Sequence, residues 1–420
     1  MQIHTSDSAR KLTLIGVNQQ LRSEKYSLLV KQNAFELLSG ETWRDPFKMY
    51  KNLRKNHPIY YLEEKNLWIL SKFEDVFNAA RNPEIFSSQN GLTVDSDSAD
   101  FEMGDVSPMV FLDPPEHTEL RRLVSKDFTP RRVVELTTQI RLFVLSAINR
   151  IREKGNCDII NELFKPLPSF VVAHYLGVPP EDRKIFDTWT EKIVAGAHDS
   201  HDSEGQEAVF ELANYFTELI NWRRGHPSDD TISKLVEMGE ETTSIILILG
   251  FAFTMITGGN DTTTGMLGGS AVFLTENLEQ RKLLIDNPTL FPNAIEEFLR
   301  LTSPVQGLAR TLLEEINLHN FKIPKGSKVL LNYASANRDE DEFGHDAEKL
   351  DITRKITRFL TFGSGAHLCL GASAARLQSS IALEELLRHF PNFRVNEHES
   401  TYAHGNYVRR HTYLPFTSNE

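Results

Sequence analysis

The sequence predicts a mainly α fold with small β-sheets at its margin (α+β), and three observations carry that expectation. Helical apolar periodicity recurs over six long segments, strand patterns are confined to a few short clusters, and no internal repeat, low-complexity tract or Pro- or Ser-rich linker interrupts the 420 residues. A single domain spanning 1–420 is therefore expected. Its 40% hydrophobic side chains suffice for a large core.

The elements follow in chain order. "PIYYLEEKNLWILSKF" reads as a hairpin, with β-rich flanks around a turn near Lys65–Asn66. Polar "SSQNGLTVDSDSADFEMGD" is a long surface loop, and helices are expected around 115–127, 131–153 and 206–223. "AGAHDSHDSEG" is a second long loop, whose residues from His198 are read as solvated rather than as a metal site. The next helix, 241–273, contains the uncharged stretch "TTSIILILGFAFTMITGGN". A membrane span needs about 20 predominantly apolar residues. Here Thr, Ser and Gly shorten the apolar centre, and the segment reads as the central helix of a large core. A helix over 288–301 follows, and "INLHNFKIPKGSKVLLNY" reads as a second hairpin turned by Pro324 and Gly326. "RDEDE", from Arg338, is expected to be a solvated acidic turn, 371–390 a helix, and "NYVRRHTYLPF" a strand.

Composition narrows the function. Lys and Arg number 46 against 58 Asp and Glu, and the net charge of -12 argues against a general nucleic-acid binder. Cys157 and Cys369 are too few for a disulfide framework, and the polar N-terminal stretch lacks an apolar signal core. A cytoplasmic protein without a membrane anchor is expected.

Four stretches carry chemistry. In "FGSGAHLCLG", Cys369 stands before an alanine-rich helix expected to begin near Leu370, where the helix dipole favours thiolate. Gly363, Gly365 and Gly371 allow a sharp turn and close approach to a flat ligand. A reactive nucleophile and a metal ligand both remain open; a structural zinc site lacks partner ligands at the needed spacing. In "GGNDTTTG", Gly258 and Gly259 weaken the central helix and are expected to let it open or kink. Asp261 and Thr262 put an acid and a hydroxyl beside that point, or else cap a new segment. In "EEFLR", Glu297 and Arg300 stand three apart, and the apolar stripe of Ile295, Phe298 and Leu299 points to an exposed ion pair. In "DPPEHTELRRLV", His117 and Arg121 fall in line with Val124 and Phe128. Cations on such a row need a buried anion or a route to solvent.

Together these stretches resemble the cytochrome P450 superfamily of the soluble bacterial type. Phe362, Gly365, His367, Cys369 and Gly371 match its cysteine loop, and Gly258, Gly259, Asp261 and Thr262 match its oxygen-activation motif. The resemblance implies the cytochrome P450 fold, with haem b between the long central helix and the cysteine-loop helix. It implies Cys369 as axial ligand of the haem iron, a thiolate that favours O–O cleavage in bound O2. His117, Arg121, Arg310 in "VQGLART" and His367 match positions that bind haem propionates. Glu297 and Arg300 become a buried pair behind the cysteine loop, joined by Arg354, with Arg358 as the competing candidate. Asp261 and Thr262 become a proton relay.

The implied function is a monooxygenase that hydroxylates or epoxidises a hydrophobic or amphipathic small molecule. Electrons would come from NAD(P)H through a reductase and a separate ferredoxin, docked on exposed Arg122, Lys126, Arg131 and Arg132. The alternatives are a peroxide-driven or non-oxygenating haem-thiolate enzyme, a non-catalytic haem-binding protein, and, more distantly, a thiol hydrolase using Cys369 and His367. By resemblance the substrate pocket draws on 88–109, 185–204, Gly258 of the central helix, 304–308 and 405–408, with Leu92, Val94, Val305 and Leu308 as apolar lining.

Overall fold

A computed structural model describes residues 34–94, 108–196 and 203–418. Residues 95–107 and 197–202, and with them part of the two long loops and the run from His198, lie outside the described residues, as does the N-terminal stretch.

The central helix runs from Ile245 to Glu276 with no break at its glycines. Ser244 starts it, its hydroxyl accepting from the Leu247 N–H at 3.3 Å and satisfying one of the amides that a helix start leaves free. By length and apolar composition this helix could cross a membrane. Here it is a core element: Ile248, Ile256, Leu267, Ala271 and Leu274 are buried in one apolar cluster with Val144 and Ile148 of Thr137–Lys154, Leu167 of Pro166–Tyr175, Phe298 of Phe291–Thr302 and Leu386 of Ala372–His389. The expected opening at Gly258–Gly259 is corrected by packing. A Cβ on Gly259 would meet Val172 Cγ2 at 2.6 Å, so this glycine lets the neighbouring helix approach.

The first hairpin forms as expected. Ile59–Leu62 pairs antiparallel with Leu67–Leu70, and Asn66 takes the left-handed conformation (φ 47°) at the turn. The second does not. Its turn lies at His319–Asn320, both with positive φ, where Ile316–Leu318 pairs with Phe321–Ile323. Pro324–Gly326 instead leads the chain into Lys328–Leu331, which runs parallel to Leu67–Leu70 and antiparallel to Leu308–Leu312. With Phe86–Ser87 at the edge, these make a five-stranded sheet whose apolar residues meet Phe73 and Val76 of the helix Phe73–Ala80. The C-terminal segment supplies His411–Tyr413 and Pro415–Thr417; the latter pairs with Asn156–Asp158.

"RDEDE" is also corrected. Arg338 and Asp339 are buried, with Arg338 stacked over Phe47 and the Asp339 carboxylate taken up by Lys72 and the Phe73 N–H. The neighbours that hold these charges come from a distant segment.

Candidate active site

The cysteine loop is shaped by its own backbone. Gly363 and Gly365 adopt left-handed φ of 68° and 71°, the Gly363 N–H donates to Leu360 O at 2.8 Å, and the Cys369 N–H donates to Phe362 O at 2.8 Å. A Cβ on Gly365 would stand 2.9 Å from Arg81 Cα and 3.0 Å from Ala80 O, so this residue seats the loop on the helix Phe73–Ala80. The following helix begins at Ala372 with Gly371 as its N-cap, two residues later than expected. Gly371 has an ordinary φ of -81°, and a Cβ there would meet nothing within 4 Å. The space above it is open. The Phe362 ring carries the Arg376 guanidinium 4.5 Å from its centroid, and Arg376 binds Glu296 at 2.6 and 2.9 Å.

Cys369 keeps an exposed surface, yet enough protein surrounds its sulfur to push the thiol above its usual range. The sulfur therefore lies in a recess. Desolvation is the largest influence; the Gly371 N–H, Arg121 and Arg376 act in the opposite direction. At this sulfur, burial thus outweighs the pull of the loop amide and the two arginines. A bound metal cation would supply the missing positive charge.

His117, Arg121, Arg310 and His367 converge beside the loop. The His117 and His367 rings lie 4.2 Å apart, and Arg121 donates to Leu368 O at 2.5 Å. Arg310, buried, donates to Ala309 O at 2.7 Å and to the Tyr333 hydroxyl. His367 bonds to Leu112 O and lies 3.2 Å from Ser88 Oγ. Among the described residues none of the four forms an ion pair with a carboxylate. Asp113, whose charge acts on His117, is taken up by Ser87 Oγ and the Ser88 N–H. Burial first, then Arg310, His117 and Arg121, pushes His367 down to about 3, and burial followed by Arg121 lowers His117. His117 Nδ1 is buried without a hydrogen-bond partner. This is a cluster of donors lacking an anion, and the two propionates of a haem have the charge to complete it. With the recessed sulfur and the open space at Gly371, the residues present fit the group. No hydrogen bond joins His367 to Cys369 among the described residues, which removes the support for a thiol–imidazole pair.

The central helix turns an accessible stripe to the interior. Gly258 is exposed, Met255 and Thr262 are half-buried, and a Cβ on Gly258 would meet nothing within 4 Å. These positions recur at helical spacing on one face. Thr262 Oγ1 donates to Gly258 O at 2.9 Å, and Asp261 is held by Arg410, Nε to Oδ2 at 2.6 Å. No sequence pattern links Arg410 to Asp261. Val305 bridges to Val408 and, with Leu308, packs against the sheet cluster. Val94 packs elsewhere, on the cluster of Tyr50, Leu53 and Leu67, and its carbonyl faces Lys328 Nζ.

Behind the loop lies a buried network. Glu297 and Arg300 are both fully buried and joined by two bonds of 2.7 Å, so the exposed pair suggested by periodicity is not what forms. Arg354 adds a 3.3 Å contact to Glu297, while Arg358 pairs with Glu342 and Glu74. The exposed basic patch is smaller than expected. Arg122, Lys126 and Arg131 are exposed, but Arg132 is half-buried and bound to Asp229 and Glu135.

Comparison with known proteins agrees with this geometry. The cytochrome P450 family model matches residues 283–402. The chain is 48% identical to cytochrome P450 130 of Mycobacterium tuberculosis over 398 residues, covering 92% of this chain and 98% of that protein. It is 32% identical to vitamin D(3) 25-hydroxylase of Pseudonocardia autotrophica, covering 91% and 96%. The crystal structure of CYP109E1 from Bacillus megaterium in complex with corticosterone superposes with a TM-score of 0.81 at 31% identity, covering 90% of this chain and 100% of that one.

Proposed function

The chain belongs to the cytochrome P450 superfamily, a haem-dependent oxidoreductase of the monooxygenase class, and from that premise we propose that it inserts one oxygen atom from O2 into a hydrophobic or amphipathic small molecule, with electrons delivered by a ferredoxin and its NAD(P)H-dependent reductase. The observation that carries the reading is the recessed Cys369 beside a carboxylate-free cluster of His117, Arg121, Arg310 and His367.

In this reading Cys369 would hold the haem iron, and His117, Arg121, Arg310 and His367 would hold the propionates. Haem supplies the activation of dioxygen. The chain's own residues do the rest. Gly258 leaves room on the accessible face of the central helix, and Val305 and Leu308 offer apolar contact to substrate. Thr262 exchanges its bond to Gly258 O for a water, and Asp261 passes protons inward from solvent. A cytoplasmic setting, where ferredoxin and NAD(P)H are at hand, suits this reading.

The acid–alcohol pair gives a direct test. D261N is expected to slow product formation by roughly a hundredfold, the low end of general-acid effects. T262A should let NAD(P)H consumption continue while product per NAD(P)H falls. Unchanged product yield in both variants would point to a peroxide-driven or non-oxygenating haem-thiolate enzyme instead.

Substrate class is open to a spectral binding screen of the haem-loaded protein. One relative is named for hydroxylating vitamin D(3) and one neighbour holds corticosterone, so steroid-like compounds are the first library to try. Failure of every hydrophobic class to shift the haem spectrum would overturn the pocket assignment.

The partner surface has its own test. Reversing charge in R122E/K126E/R131E should lower the rate of reduction by a surrogate ferredoxin about tenfold at low ionic strength, and flatten its salt dependence. R132E serves as the comparison, because Arg132 is already committed to Asp229 and Glu135. An unchanged rate in the triple variant would remove the patch from the docking site.

A further inference from the structure

The C-terminal hairpin reaches the wall of the proposed pocket and crosses the central helix at close range. A Cβ on Gly265 would lie 2.6 Å from Arg409 O, 3.2 Å from Pro304 Cβ and 3.3 Å from Arg410 Cβ. Only glycine admits the strand at this distance. The Gln306 N–H donates to Tyr407 O and the Arg409 N–H to Pro304 O, each at 2.8 Å, on either side of the Val305–Val408 bridge. Thr401–Tyr402 pairs with His411–Tyr413 to form the base of the hairpin.

At that base His411 is 1% exposed. Its Nε2 lies 2.8 Å from a Glu397 carboxylate oxygen, so Nε2 carries the proton of the neutral ring. Nδ1 is buried without a hydrogen-bond partner and faces the central helix, where a Cβ on Gly268 would lie 2.8 Å from it. A second proton would enter a place where no acceptor stands among the described residues.

The charges around the ring come from several elements. Glu397 accepts from the Tyr402 hydroxyl at 2.6 Å, and that hydroxyl accepts from Arg409 at 2.6 Å. Arg44 of Gly40–Arg44 lies 3.7 Å from Glu397 and is paired with Glu41. Glu276, at the end of the central helix, is close enough to feel Glu397 and Arg409. In the turn Ile160–Phe164, Glu162 is bound to Lys154, and the Asp158 carboxylate before it takes up the Ile160 and Leu414 N–H groups. Burial is the largest influence on His411 and holds it below its usual range; the Glu397 bond opposes this, while Arg409 and Arg44 reinforce it.

We propose that His411 is an acid-sensitive catch on the C-terminal hairpin: the neutral ring locks the hairpin to Glu397 and the central helix, and a second proton on Nδ1 forces the ring out and loosens the wall that Val408 shares with Val305. The catch is independent of haem chemistry; its effect on a substrate pocket rests on the function proposed above. An open ring takes up a proton near its ordinary value, and the closed ring resists it. Closure therefore carries no penalty above about pH 6.5, and the hairpin loses stability as pH falls from there toward the lower value of the closed ring. Burial raises Glu397, but its bonds to His411 and Tyr402 and the charge of Arg409 hold it low, so its own contribution is lost only below the ordinary carboxylate range.

Hydrogen exchange on the haem-loaded protein tests the catch without turnover. Corrected for the intrinsic pH dependence of exchange, opening at the Ala403, Gln306 and Arg409 amides should rise about tenfold between roughly pH 7.5 and 5.5. H411Q keeps a donor for Glu397 and cannot titrate, so its opening should stay flat over the same range. A flat wild type, or a tenfold rise retained in H411Q, would overturn the catch. Should H411Q fail to fold, the wild type decides alone: a rise confined to the hairpin and Gln306 supports the catch, and an equal rise at the Leu308–Leu312 and Lys328–Leu331 amides overturns it by assigning the acid response to another histidine. A hairpin that opens as expected in a protein to which no hydrophobic class binds would support the catch and overturn the pocket.

Discussion

Cys369→Ser is expected to leave a folded chain that takes up haem weakly and has lost monooxygenase activity to background. The loop does not need the sulfur for its shape. Its turn is set by the left-handed Gly363 and Gly365 and by the Cys369 N–H bond to Phe362 O, all of which serine preserves. The hydroxyl replaces the thiol with little change in size, but it is a far poorer anion and gives iron no thiolate. The basic groups proposed to bind the propionates remain, so some haem should still bind. Absorption spectroscopy of the reduced carbon monoxide complex checks this: the red-shifted Soret band of thiolate ligation should vanish. Retention of that band would exclude Cys369 as the ligand.

Glu297→Ala should be the most destabilising single change. It leaves Arg300, fully buried, and Arg354 without their shared carboxylate. Breaking a buried pair in this way costs about 3–5 kcal/mol, a large part of the roughly 5–15 kcal/mol that holds a protein folded. The damage should spread to the cysteine loop along a traceable route. Arg300 donates to Asn337 O at 2.7 Å; the Asn337 amide accepts from the Leu360 N–H at 2.7 Å and donates to Thr361 Oγ1 at 2.9 Å; and Phe362 follows directly. R354A should be milder, because Arg354 holds the edge of the network and Glu297 keeps Arg300. Denaturant midpoints and haem retention would rank the two. Equal, small losses would show that the network does not support the loop.

What could be read beforehand divides along physical lines. The long helices announce themselves through local periodicity, and Thr137–Lys154, Ile245–Glu276 and Ala372–His389 all lie near the expected spans. The first hairpin was similarly local. The second is obscured because Pro324 and Gly326 are stronger turn signals than His319–Asn320, although the latter closes the ladder. Charges were the least legible. Arg338, Asp339, Glu297 and Arg300 look solvated in sequence, yet each is buried by partners from remote segments. Arg410 carries no local sign that it meets Asp261. The cysteine-loop and acid–alcohol motifs are visible in sequence because each is confined to a few adjacent residues, whereas the groups that contact them come from elsewhere in the chain.

The crossing of the C-terminal strand over Gly265 also bears on the order in which the molecule is made. Asn156–Asp158 pairs with Pro415–Thr417, and the Ser418 N–H closes on Gly155 O at 3.1 Å. A nascent chain on the ribosome can assemble the central helix long before these partners emerge, whereas the cysteine loop precedes them by only a short stretch of chain. Until they do, Asp261 has no Arg410 beside it, and both Asn156–Asp158 and Arg394–Val395, the two strands that pair with Pro415–Thr417, wait unpaired. Translation therefore delivers the central helix first and the segment that crosses it at Gly265 last.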